Sequence, residues 1–128
     1  MSKVVLDASA VIALLFREPG AEHLTSALMD DSAISAVNLA EVQARLVRAG
    51  VDPEEAWIDA LAPVREIHPF VVGQAKIAGS LVAQTRSLGL SLGDRACLAL
   101  AISLKAAVYT TDRVWRDVKV SVPIHVIR

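Results

Sequence analysis

Four acidic residues, Asp7, Glu41, Asp94 and Asp112, stand at the ends of apolar runs or one turn into apolar helices, not on polar faces. Asp7 closes the run Val4-Val5-Leu6, and Asp112 follows Val108-Tyr109-Thr110-Thr111. Asp94 opens a stretch that is apolar on all sides over 96–102 and, at helical spacing, shares a face with Leu98 and Ala101, so its carboxyl is expected to point inward. Glu41 lies one turn after Asn38 among Val37, Ala40, Val42, Ala44 and Leu46. In a parallel sheet, ligands bind outside the carboxyl ends of the strands, which is where Asp7 and Asp112 fall. Carboxylates gathered there repel one another and drift toward protonation unless positive charge sits among them. None of the four lysines (Lys3, Lys76, Lys105, Lys119) lies at an expected carboxyl end. A divalent cation would serve, and all-oxygen donors favour Mg²⁺ or Mn²⁺ over zinc. Such an ion lowers the pKa of a bound water and neutralises charge building on a phosphate. The chemistry suggested is metal-dependent phosphodiester cleavage.

Each acid also has an ordinary structural use. Asp7 could cap the following helix, Asp94 could favour a helix dipole, and Asp112 could cap a turn beginning at Arg113. Glu41 could pair with Arg45 one turn on, for about 0.3–0.5 kcal/mol. Only convergence of all four on one edge separates the two readings.

That convergence depends on the elements carrying the acids. Short apolar runs at 3–6, 32–35, 65–68, 107–110 and 123–127 read as strands. Helices are expected over 8–17, halted by Pro19-Gly20, and over 21–29, 37–49, 53–61, 69–88 and 91–105. Gly50 should terminate the 37–49 helix, and Asp52-Pro53 is an N-cap followed by a proline in the first turn. Strands alternating with helices predict parallel pairing through crossovers, hence an α/β fold of three layers, α/β/α, around a central, mainly parallel sheet. Composition agrees with one domain over 1–128: the chain has 128 residues, no repeat and no linker-like tract.

The chain is 54% hydrophobic and has a mean hydropathy of +0.48, so a membrane segment needs testing. No uncharged run exceeds nine residues, against roughly 20 for a spanning helix, and Asp7 interrupts any signal-peptide layout. A lone Cys97 excludes an internal disulfide and a cysteine-based zinc site. A soluble, cytoplasmic chain is expected, with no membrane partner. Thirteen basic residues face fourteen acidic ones, a net charge of −1. Setting the four acids aside leaves a body of charge +3, thirteen basic residues against ten acids, so the balance does not argue against a nucleic-acid substrate.

In order along the chain, Val4-Val5-Leu6-Asp7-Ala8-Ser9-Ala10, Ser35-Ala36-Val37-Asn38-Leu39-Ala40-Glu41, Leu92-Gly93-Asp94-Arg95-Ala96 and Thr110-Thr111-Asp112-Arg113 resemble the PIN-domain ribonucleases. The likeness is specifically to VapC-like toxins of toxin–antitoxin pairs. The resemblance implies an endoribonuclease toxin with Asp7, Glu41, Asp94 and Asp112 as catalytic, metal-binding acids for Mg²⁺, or Mn²⁺. Asp7 and Asp94 would be the principal anchors, Glu41 would orient or deprotonate the water, and Asp112 matches the family's most variable position. Ser9, Asn38 and Thr110 match polar positions that line the pocket, and Arg95 and Arg113 are candidate RNA contacts. In-line attack by a metal-activated water would leave a 5′-phosphate and a 3′-hydroxyl. The partners implied are RNA, a cognate antitoxin and a second copy in a homodimer; Trp57 and Phe70 read as core aromatics before partner contacts.

Competing patterns fit less well. A phosphoacceptor receiver domain resembles a different arrangement, with adjacent acids after the first strand and a lysine after the last. A haloacid-dehalogenase-like phosphatase would carry a second aspartate where Ser9 stands. The alternative from another class is a catalytically weak PIN-like module that binds RNA or protein.

Overall fold

In a computed structural model that describes residues 3–128, five parallel strands form one sheet. The strands are β1 (Val4–Leu6), β2 (Ser32–Ser35), β3 (Glu66–His68), β4 (Ala107–Thr110) and β5 (Ile124–Val126), in the order β3-β2-β1-β4-β5. The helices are α1 (Ala8–Phe16), α2 (Ser26–Met29), α3 (Ala36–Arg48), α4 (Pro53–Leu61), α5 (Val72–Ser80), α6 (Val82–Thr85) and α7 (Leu92–Leu104). Val4 pairs with Ser32 on one side and Ala107 on the other, which places β1 at the centre. The chain steps outward from β1 to β3 and then resumes on β1's other side at β4, so the strand order reverses beside β1. Crevices form at such a reversal, outside the carboxyl ends.

Alternation along the strands divides the core into two layers. Val5, Ala33 and Val108 face one side with Cys97, Leu98, Leu100, Ala101 and Trp115. Leu6, Ile34 and Tyr109 face the other with Ala10, Val11, Leu39 and Val42. Every residue from Ala96 to Ala101 is fully buried, as an all-round apolar helix requires. The expected α/β/α layering is thus present. Among the described residues no helix is long and apolar enough to cross a membrane.

Local chemistry sets the helix boundaries. Asp52 accepts from the backbone N–H groups of Glu54 and Glu55, with Pro53 behind it, and starts α4. Gly50, with φ of 99°, follows α3 in the left-handed conformation expected of it.

Two expected helices are corrected. The 21–29 helix is broken: residues Ala21–His23 form one 3₁₀ turn, and Leu24 leaves helical geometry. The Thr25 hydroxyl then caps a new start by accepting from the Leu28 N–H. A threonine offers the backbone this local bond in place of continuing the helix. The 69–88 helix begins only at Val72 and splits at Leu81 into α5, α6 and a 3₁₀ turn, Arg86–Leu88. Gly79 weakens the helix there, and the Ser80 and Thr85 hydroxyls bond back to the carbonyls of Lys76 and Leu81, a pattern that bends helices. The aromatic assignments also change: Trp115 is the buried tryptophan, while Trp57 is 40% exposed and Phe70 half-buried.

Gly20 clamps the chain after α1 to the far strand. Its φ is 95°, and a Cβ there would overlap the backbone carbonyl of Ile127. Gly20→Ala is therefore expected to lower stability by roughly 1–3 kcal/mol in urea unfolding. A change within about 0.5 kcal/mol, typical of an unconstrained surface site, would show that this contact does not hold the segment.

Candidate active site

Asp7 occupies the backbone position of a cap on α1, yet its side chain accepts from no backbone N–H of that helix. Its Oδ2 instead accepts from the Ser9 hydroxyl at 2.7 Å and the Thr110 hydroxyl at 2.9 Å. Ser9 Oγ in turn accepts from the Thr111 N–H, and Thr110 Oγ1 from the Asp112 N–H. The loop after β4 is thereby tied to the end of β1, where the Asp7 N–H also donates to the Tyr109 carbonyl. The capping explanation for Asp7 fails on this geometry.

Glu41 is held from two sides. Asn38 Nδ2 donates to its Oε1 at 2.8 Å and to the Gly93 carbonyl at 2.9 Å, linking α3 to α7. A Cβ at position 93 would overlap the Glu41 carboxylate, so glycine alone leaves room for it. The alternative use of Glu41, an ion pair with Arg45, does not form, since neither residue is among the ion pairs of the described residues.

Asp94 and Asp112 keep their structural uses as well. Asp94 Oδ2 accepts from the Ser91 N–H while Ser91 Oγ accepts from the Asp94 N–H, a capping box on α7. This leaves Asp94 half-buried at the helix start, less enclosed than its sequence setting suggests. Asp112 is exposed, and its Oδ1 caps the turn Arg113–Asp117 through the Val114 N–H.

The four acids nevertheless line one pocket of about 270 Å³, with Ala8, Ser9, Ile12, Arg45 and Arg48. A common pattern runs through them. Each carboxylate has one oxygen engaged by protein donors and, among the described residues, the other without one: Asp7 Oδ1, Glu41 Oε2, Asp94 Oδ1 and Asp112 Oδ2. Side chains locked this way present their remaining oxygens in fixed positions. Burial raises the Asp7 carboxyl from its ordinary 3.8 to about 6. The Ser9 and Thr110 bonds oppose the rise, and the charges of Asp94 and Glu41 add to it. Asp7, Glu41 and Asp94 are thus close enough to repel. Oxygen donors under mutual repulsion suit a hard divalent cation. Among the described residues no three His, Cys, Asp or Glu side chains make a ready cage for a metal, so water would have to complete an ion's shell. Cys97, pushed well above its ordinary range by burial and then by the same three acids, stays a protonated packing residue.

The arginines are placed differently from expectation. Arg95 Nη1 donates to the Ala78 carbonyl and ties α7 to α5, and Arg113 Nε donates to the Arg128 carbonyl; neither lines the pocket. A position beside an acid in sequence did not predict a position beside it in space. Arg45 and Arg48 line it instead, and the available signal was their spacing of four and seven from Glu41 along α3.

The model of the PIN domain family matches residues 4–120. The fold is that of VapBC from Salmonella typhimurium bound to DNA, at 17% identity, a TM-score of 0.76 and 98% coverage of each chain. It is equally that of VapBC2 from Rickettsia felis bound to a promoter fragment, at 18% identity, a TM-score of 0.74 and coverages of 95% and 96%. VapC20 from Mycobacterium tuberculosis, described as a toxin that cleaves the sarcin–ricin loop, matches at 19% identity and a TM-score of 0.72, with 87% of this chain and 91% of that one covered. No curated protein matches the chain in sequence.

Asp7 has a consequence for stability. An acid whose pKa is raised on folding stabilises the fold below its ordinary 3.8, and that advantage is lost as pH climbs to about 6. In EDTA, Asp7→Asn should therefore gain on the wild type between pH 4 and 8, by on the order of 3 kcal/mol in urea unfolding. A stability difference independent of pH would show that the folded protein does not hold this carboxyl protonated.

Proposed function

The chain belongs to the PIN domain family, and from that premise we propose that it is a divalent-metal-dependent endoribonuclease acting as a toxin restrained by a cognate antitoxin. The observation that carries this reading is the set of four carboxylates lining one pocket, each with one oxygen held and one unengaged. Asp7 and Asp94 are the principal anchors for Mg²⁺ or Mn²⁺, one on the central strand's end and one on the buried helix. Asp112, exposed and on a turn, contributes at the pocket's edge. A bound ion would supply an acidified water and neutralise charge on the scissile phosphate. Asn38 and Gly93 hold the Glu41 carboxylate where it can orient or deprotonate that water. Ser9 and Thr110 fix one Asp7 oxygen and leave the other for an ion.

The antitoxin partner rests on the toxin–antitoxin complexes whose fold this chain shares. The exposed apolar side chains Trp57, Ile58, Val72 and Leu92 are candidates for cover by an antitoxin or by a second copy in a homodimer. A cytoplasmic setting belongs to the same reading, since a toxin restrained by an antitoxin would act on RNA of its own cell.

Purified chain, freed of any partner, should cleave structured RNA in Mg²⁺ or Mn²⁺. EDTA, or Asp94→Asn, should reduce the rate by more than about a hundredfold, beyond what loss of an outer supporting residue causes. Cleavage that survived both would sink the metal-nuclease reading. Binding without cleavage by the wild type would favour the PIN-like binding module. Expression of Asp7→Asn should no longer inhibit growth, and a fully toxic variant would remove Asp7 from the metal site.

A further inference from the structure

Two of the pocket's residues, Arg45 and Arg48, have no counterpart among the acids' own supports. They lie four and seven residues beyond Glu41, about 6 and 10 Å farther along α3. Among the described residues neither forms an ion pair, although four carboxylates line the same pocket. The Arg45 guanidinium lies over the ring of Phe16 instead, 5.5 Å from its centroid. Phe16 ends α1 one helical turn past Ile12, itself a pocket residue, and is 41% exposed. The space between α1 and α3 therefore leads from the carboxylates to an arginine–aromatic pair and a further guanidinium.

Counter-ions for the acids would pair with them, whereas among the described residues these guanidiniums form no ion pair and one lies against a part-exposed phenyl ring beside the pocket. A polyanion bearing flat apolar rings matches all three groups. Aromatic rings and guanidinium planes stack unpaired bases, and guanidinium forks bind phosphate. We propose that Phe16 and Arg45 stack one unpaired base of the RNA beside the scissile phosphate and that Arg48 holds the adjoining phosphate. These three residues then set which phosphate reaches the acids. The inference rests on the endoribonuclease reading for its substrate, and its binding test does not depend on cleavage.

The probe is a fluorescein-labelled short oligoadenylate, measured by anisotropy in EDTA at low salt, alone and annealed to its complement. Phe16→Leu, which keeps an apolar side chain, and Arg45→Ala should each weaken single-strand binding roughly tenfold or more, and Arg45→Lys should not restore it. Arg48→Ala should weaken binding and lower the slope of log affinity against log salt by about 0.7, with Arg48→Lys retaining most of both. Lys76→Ala, on α5, should bind like the wild type, and annealing the probe should abolish the effect of Phe16→Leu. Wild-type affinity in Phe16→Leu and Arg45→Ala would overturn the inference and leave the groove to a protein partner. So would a Phe16→Leu loss that is equal for duplex and single strand. RNA left uncut by the wild type in Mg²⁺ and Mn²⁺, with these binding losses intact, would refute the nuclease reading alone.

Discussion

Asp7 follows the central strand as a residue only 5% exposed, and a charge so placed is costly unless hydrogen bonds and a counter-charge offset it. Two hydroxyls supply the bonds, one from the first turn of α1 and one from the end of β4. They do more than solvate an oxygen. Because Ser9 and Thr110 also accept from the backbone of residues 111 and 112, the acid fixes the loop that carries Asp112. The parallel pairing of β1 with β4 is what brings these groups together, with Leu6 opposite Tyr109. Among the described residues no cationic side chain forms an ion pair with the four acids. Glu41 and Asp94 add repulsion, and the two nearby guanidiniums form no ion pairs among the described residues. That imbalance makes the pocket receptive to a divalent ion.

The same logic explains why α7 is buried on all sides. A helix packed against β1, β2 and β4 cannot shift without disturbing the core, so its first turn is a rigid platform. Asp94 stands on that platform, and its capping box aims one oxygen at Ser91 and leaves the other. Gly93 beside it allows Glu41 to approach, and Asn38 links the two helices through one amide. Local helix chemistry and site chemistry therefore use the same residues. The caps on Asp94 and Asp112 leave one oxygen of each carboxylate unengaged among the described residues, so a capping role would not compete with the proposed ligand role.

Much of this architecture is legible in the order of the amino acids. Period-two apolar runs and caps such as Asp52-Pro53 act locally, and they placed five strands and the sheet's parallel sense. The acids at strand ends could be grouped because topology alone sends those ends to one edge. What the amino-acid order hid were balances of small terms. Thr25, Ser80 and Thr85 each offered a local bond that competed with helix continuation, and hydrophobic periodicity is blind to that contest. The side-chain direction of Arg95 was hidden for another reason. Its partner, the Ala78 carbonyl, becomes available only because α5 ends near there against α7.

Arg45 and Arg48 show how far charge counting reaches. Near-neutrality of the whole chain conceals a separation, with carboxylates at the strand ends and cations farther along α3. A nucleic acid approaching the bare acids would be repelled at the point of reaction and attracted a turn or two away. An ion that neutralised the acids would make the attraction continuous along the groove. In the proposed reading a metal would act on substrate binding as well as on the water. The arginines need no ion pair with the acids to be useful, because pairing would tie up the guanidinium groups that a phosphate or a base requires.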